Sequence, residues 1–269
     1  MRKYEELTLS DDYMFGAVMN DPECCKPLIE LILGKKVARI EYPELQKSVW
    51  NAYGAKGIRL DVYVKDEEET VYDMEIQTGF SDGLPKRTRY YQGQIDLSVL
   101  SRGNGYESLK KSFVIFICRF DPFGEGRYQY TFENRCLENP SLPLGDGTQK
   151  IFLNTKGKTG DISDGLRNFL RYLENQTPAD TYTEHLEEKV AKAKDNEEGR
   201  AGFMKYELEM AELERKSIAK GRTEGRVEGA NQLGRLIVYL QEHSLTDQIA
   251  LASTDAEARK DMFKKYHIE

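Results

Sequence analysis

Apolar and polar residues alternate along Gly57–Lys65 (GIRLDVYVK) and again along Thr70–Thr78 (TVYDMEIQT), with the acidic tip Asp66-Glu67-Glu68-Glu69 between them. A period of two on both sides of a short polar connection predicts a β-hairpin. Upstream the pattern is helical. Ser10 begins an amphipathic helix through Met19 with Met14, Phe15 and Val18 facing inward. Asp21-Pro22 starts a second helix, which Gly34 stops after LIELIL. Val37–Tyr42 alternates and reads as a short strand. Downstream, a helix is expected from Pro85 to about Ser101, then strands at Ser112–Phe120, Arg127–Glu133 and Lys150–Asn154. Helix, helix, strand, hairpin, helix and strands in that order predict an α/β or α+β domain.

The last third changes character. Glu184–Glu228 is dense in Glu, Lys, Arg and Ala and has no proline. Phe203, Tyr206, Met210 and Leu213 form a short heptad-like seam. A repeat follows, Gly221-Arg222-Thr223-Glu224 and Gly225-Arg226-Val227-Glu228-Gly229, which on a helix makes a stripe of glycine. Each glycine costs ~1 kcal/mol relative to alanine in a helix, so such a stripe needs something to lean on. Two readings stand side by side: a solvated linker helix, or helix pairing within a homodimer. Two further helices are expected near Glu228–His243 and Thr254–Tyr266, with Thr254 and Glu257 as a capping box. The chain therefore divides into residues 1–157 and a charged helical region, 158–269.

Composition narrows the chemistry. With 39 Lys+Arg against 46 Asp+Glu the net charge is -7, so any DNA contact must come from a local basic patch. Four cysteines (Cys24, Cys25, Cys118, Cys136) form neither a C-x-x-C pair nor a disulfide framework. The three histidines, His185, His243 and His267, all lie in the last third, which excludes a His-based metal site upstream. The longest apolar run, Phe113–Cys118, is far shorter than the ~20 residues a membrane span needs. No apolar signal-like segment opens the chain, and a cytoplasmic location with no membrane partner is the expectation. Gly79-Phe80-Ser81-Asp82-Gly83 satisfies G-x-S-x-G, but His185, His243 and His267 stand in no recognisable α/β-hydrolase context, so it reads as the loop between hairpin and helix.

The hairpin holds the strongest candidate chemistry. Its even positions, Ile58, Leu60, Val62, Val64, Tyr72, Met74 and Ile76, are predicted to face the core. Its odd positions, Arg59, Asp61, Tyr63, Lys65, Asp73, Glu75 and Gln77, are predicted to face outward. A turn centred on Glu68 sets 61 across from 75, 59 from 77 and 63 from 73. Asp61 and Glu75 would then have Cβ atoms roughly 5 Å apart, and like charges so placed repel. A Mg²⁺ shared between them removes the conflict, although a polar outer face is also what an ordinary solvated hairpin shows. In the next helix Arg87, Tyr90, Tyr91 and Gln94 fall on one face, within a stretch from Leu84 to Lys111 that has six basic and two acidic residues. A metal-binding face beside a basic, aromatic helix suits a phosphodiester, and an ordinary amphipathic helix with one tyrosine in the core is the alternative.

Asp61 with Glu75-Ile76-Gln77 resembles the signature of PD-(D/E)XK nucleases in a Glu-x-Gln variant. The segments LSDDYMFGAVMNDP, KGIRLDVYVKDE, VYDMEIQT, LPKRTRYYQGQIDLSVL, GYESLKKSFVIFICRFDPFG and KIFLNTKG together resemble the recombination-promoting nuclease/transposase family. The resemblance implies a restriction-endonuclease-like core, a mixed central sheet flanked by helices, with a helical C-terminal extension. It implies a DNA endonuclease linked to recombination or mobile elements, using Mg²⁺ or Mn²⁺. Asp61 and Glu75 would be metal ligands with the Ile76 carbonyl, and Asp12 a further acid. Gln77 stands where the wider superfamily has lysine, so it could orient water but would supply no charge, and Arg87 and Arg89 would carry more of the work. Arg87, Arg89, Tyr90, Tyr91 and Gln94 would meet DNA. The alternative is a catalytically inactive DNA-binding or self-associating protein on the same fold.

Overall fold

The computed structural model describes residues 3–37, 39–41, 44–49, 58–80, 82–100 and 103–268; along 44–49 and 58–61 it describes the backbone alone. Helix α1 (Asp12–Met19) starts two residues later than the pattern suggests. Asp11 rather than Ser10 holds the cap position, and its carboxylate accepts from the Thr8 backbone N–H at 2.7 Å. Helix α2 (Pro22–Leu33) runs as expected from an Asp21 cap to Gly34, whose φ of 65° needs the residue without a Cβ. Among the described residues of Val37–Tyr42 no strand is formed: Ile40 makes an isolated bridge to Asp66, and strand β1 lies at Glu44–Val49. Part of the Val37–Tyr42 span lies outside the described residues.

The hairpin is β2 (Ile58–Lys65) and β3 (Val71–Gln77), with Tyr63 opposite Asp73 and Val64 opposite Tyr72. Asp66 shapes its tip: one carboxylate oxygen accepts from the Glu68 and Thr70 backbone N–H groups, both at 2.9 Å, and the other from the Tyr72 hydroxyl at 2.8 Å. Helix α3 (Leu84–Val99) then crosses to β4 (Ser112–Cys118), and β5 (Gln129–Phe132) and β6 (Thr148–Asn154) complete the sheet. The described strands form one six-stranded sheet in the order β1-β2-β3-β4-β6-β5. Strands β3, β4 and β6 are parallel neighbours, and the outer pairings are antiparallel. All seven residues of β4 are buried, as a central parallel strand covered on both faces requires.

That double cover corrects the orientation expected for the hairpin. Among the described odd positions, three are shut away from solvent and Lys65 and Gln77 are half-buried. Tyr63, Asp73 and Glu75 are all buried, because α3 folds back over this side of the sheet. Leu84, Tyr91 and Ile95 of α3 pack there with Tyr63, Val71, Val114 and Phe116. Alternation separates two sets of side chains but does not say what covers each one. The even face carries Val62, Val64, Met74 and Ile76, and α1 lies against β2 and β3.

Two helices of the charged region also belong to this body. Helix α4 (Asp164–Tyr172) buries Leu166, Phe169 and Leu170, and α5 (Thr181–Lys194) buries Leu186 and Val190. They pack against α2 and, for α5, against α1. The first compact unit accordingly runs from Met1 to Phe203, well past the change of composition near residue 157, and the second is Met204–Glu269. Helix α6 (Glu197–Glu242) begins in the first unit and ends in the second. Phe203, the first residue of the expected seam, is taken up inside the first unit, 5.6 Å from the Tyr4 ring and 5.3 Å from the Tyr13 ring. The second unit has a small core of Leu236 and Leu240 with Ala252 of α7 (Ile249–Thr254) and Met262 of α8 (Ala256–Lys265). Helix α8 is capped by Asp255, not Thr254: the Asp255 carboxylate accepts from the Glu257 and Ala258 N–H groups.

Candidate active site

Helix α3 sets its first turn across the carboxyl ends of β3 and β4, and Arg87 in that turn organises the site. Its Nη2 donates to Glu75 Oε2 at 2.5 Å, its Nη1 to Gln77 Oε1 at 3.0 Å and its Nε to the Tyr91 hydroxyl at 2.8 Å. The guanidinium also lies 5.0 Å from the Tyr91 ring centre and 5.3 Å from that of Phe116. A planar fork suits such divided contact, which a lysine could not reproduce. Gln77 reaches Glu75 as well, its amide nitrogen donating at 3.4 Å. Glu75 has no exposed surface, whereas the Arg87 side chain retains 39%, so the arginine links a buried carboxylate to solvent. Burial pushes the Tyr91 hydroxyl far above its ordinary pKa, and the nearby Glu75 charge adds to the effect.

Asp73, two residues before Glu75 and on the same face, is a second fully buried carboxylate. Its presence among the odd positions is plain in the sequence, but nothing there marks it as enclosed. Asp61 lies in β2, and the register that sets 63 against 73 carries 61 toward 75; its side chain is outside the described residues, as is that of Arg59. Asp12 is at the start of α1. Partial enclosure raises its carboxyl above the ordinary aspartate value despite surface access, and Arg87 is near enough to pull it the other way. Ile76 is buried in the middle of the motif.

The proposed DNA-facing residues of α3 part company. Tyr91 and Gln94 are buried, so neither offers surface to a large partner, whereas Arg89 and Tyr90 are exposed. The helical face read as a binding surface is therefore split, with Tyr91 and Gln94 buried, Tyr90 exposed and Arg87 partly so.

A second polar cluster adjoins Gln77. The Arg119 N–H donates to the Gln77 carbonyl at 2.9 Å. The Arg119 guanidinium donates to Glu174 at 3.0 Å and to the Ser10 hydroxyl at 3.1 Å. Lys156 and the Thr155 hydroxyl also donate to Glu174. Burial alone would raise the Glu174 carboxyl, but bonds from Arg119, Lys156 and Thr155 hold it down at about 2. Sequence reasoning missed this cluster, because Glu174 is separated from Arg119 by 55 residues and follows no motif.

The family profile described as PD-(D/E)XK nuclease family transposase matches residues 11–220. The chain belongs to this family. The matched span covers most of the sequence, from the cap of α1 into α6. Neither curated proteins nor solved structures give a match. As a member of the PD-(D/E)XK nuclease family transposases, the chain has a restriction-endonuclease-like core of mixed sheet and flanking helices, with a helical C-terminal region. Its domain is nuclease- or transposase-like. No described helix is long and apolar enough to cross a membrane.

Members of such a nuclease family use divalent metal ions. Glu75, Ile76 and Gln77 present carboxylate, backbone carbonyl and amide oxygens, a hard-donor set of the kind Mg²⁺ accepts. In donor type the residues therefore fit the ion. Among the described residues no three His, Cys, Asp or Glu side chains gather into a ready cage. Mg²⁺ rarely needs one, because it keeps several waters and is completed by substrate phosphate.

Proposed function

We propose that the chain is a metal-dependent DNA endonuclease, hydrolysing phosphodiester bonds at the Glu75-Ile76-Gln77 end of β3 and linked to recombination or mobile elements. The observation that carries this reading is the buried Glu75 carboxylate held by Arg87 and Gln77 at the carboxyl end of β3, an interior strand of a PD-(D/E)XK-type sheet. Asp61 and Glu75 would hold Mg²⁺ (or Mn²⁺) together with the Ile76 carbonyl, and the bound ion would supply an activated water and charge stabilisation. The remaining steps belong to the protein. Gln77 would orient the attacking water through its amide. Arg87, shared between Glu75 and Gln77 and still partly solvated, would turn its guanidinium toward the phosphate as negative charge develops. Asp12, at the start of α1 and close enough to Arg87 to feel its charge, would be a further acid near the metal. Arg89 and Tyr90, exposed on the outer side of α3, would touch the strand beyond the site. The reading extends to a cytoplasmic setting and to a homodimer through the C-terminal helices.

A second reading has its own support. Arg87 occupies Glu75 Oε2, and the cationic position of the superfamily is a neutral glutamine. Both features suit a DNA-binding or self-associating protein that has lost turnover. Plasmid cleavage with Mg²⁺, set against EDTA and against Asp61→Ala, separates the two. Nicking or linearisation that requires both metal and Asp61 is expected. DNA binding without cleavage in Mg²⁺ or Mn²⁺ would favour the silent protein.

A further inference from the structure

Phe80, three residues beyond Gln77, is 67% exposed. It stands edge-on to Phe120, with ring centres 5.6 Å apart. Both rings line a cleft of about 140 Å³, whose walls also include Leu84, Pro85, Phe123 and Phe152, with Asp82 among its lining residues. The residues of the cleft neighbour those of the candidate active site in three ways. Gln77 is paired with Cys118 across β3 and β4, so Phe80 and Phe120 leave the sheet from adjacent strand ends. Arg119, immediately before Phe120, bonds its N–H to the Gln77 carbonyl. The first turn of α3 gives Leu84 and Pro85 to the cleft and Arg87 to Glu75.

We propose that this cleft takes one unstacked nucleobase of the DNA strand being cut, which makes unpaired or distorted DNA the preferred substrate. The inference rests on the nuclease reading of the neighbouring site. The chemistry is specific in kind. An aromatic floor stacks any base, and the cleft has room for one planar ring system but none for a duplex. Asp82 supplies an acceptor for an exocyclic amino group of the base. A cation for a flanking phosphate, the half-exposed Arg87, sits on the same helix turn as Leu84 and Pro85. Only a strand whose base has left the stack can place a phosphate at Glu75 and a ring at Phe80 together.

The test is a binding titration in EDTA, so that no strand is cut, with a single-stranded oligonucleotide carrying 2-aminopurine and with its blunt duplex. The full chain is compared with Phe80→Ala and Phe80→Tyr. The wild type is expected to bind the single strand more tightly and to change the 2-aminopurine emission. Phe80→Ala is expected to weaken single-strand binding roughly ten-fold, the loss typical of one stacking platform, and to leave duplex binding unchanged. Phe80→Tyr, which keeps the ring, is expected to match the wild type. Equal single-strand binding by Phe80→Ala, or duplex binding with no emission change on the single strand, would overturn the cleft while leaving the nuclease reading in place. Binding to neither form of DNA would overturn both.

Discussion

Glu174 shows how a single carboxylate can fasten distant segments of the chain. It joins the end of α4 to Arg119 after β4 and to Thr155 and Lys156 after β6. Its folded pKa of about 2 lies below the ordinary 4.5, so the stabilisation is fully present above the unfolded value. It is lost as pH falls from about 4.5 through about 2. Integrated over that window the linkage is at most ~3 kcal/mol. Urea unfolding of the wild type and Glu174→Gln should differ most at pH 6, and the gap should close toward pH 2.5; a gap independent of pH would contradict the assignment. Arg87 has a different role, since it neutralises Glu75, which has no exposed surface. Arg87→Ala is expected to destabilise the fold by about 2–3 kcal/mol, at the low end for a broken buried pair because the arginine is half in water. An unchanged melting temperature would count against it. The importance of Arg87 was legible from the basic stretch of α3, but its direction was not. Helical spacing groups Arg87, Tyr91 and Gln94 on one face and is silent about whether that face meets DNA or the sheet.

At the scale of elements, the hairpin register was readable because side-chain period and turn length fix it together, and 63 does face 73. Burial was not readable, because β3 becomes an interior strand only through pairing with β4, 35 or more residues on in the chain. The parallel β3–α3–β4 unit is what encloses Asp73 and Glu75. Helix α6 poses the opposite problem. Gly221, Gly225 and Gly229 have no described atom within 4 Å of where a Cβ would stand. No contact within the described chain therefore needs these glycines. Changing all three to alanine should raise helix stability by ~1 kcal/mol each, seen as slower amide hydrogen exchange across residues 215–232. Loss of self-association in that variant, by sedimentation, would instead show that the stripe is a surface between copies.

For the whole molecule, the charged last third is not simply an appendage. Leu166, Phe169, Leu170 and Leu173 follow helical spacing and are buried, so α4 is part of the first unit despite its charged neighbours. A window of composition averages over such a face, which is why the change near residue 157 precedes the structural boundary at Phe203. With α4 in place, Glu174 can reach Arg119 beside the Gln77 end of β3. The proposed hydrolysis of DNA at the carboxyl end of β3 depends on Glu75 above all. The most direct measurement is the rate of supercoiled-plasmid cleavage in Mg²⁺ by the wild type and Glu75→Gln, with thermal melts to show that both are folded. Metal-dependent cleavage by the wild type should fall at least about 100-fold in the variant, the loss that follows removal of a group acting on the transition state. Equal cleavage by a folded Glu75→Gln protein would contradict this dependence.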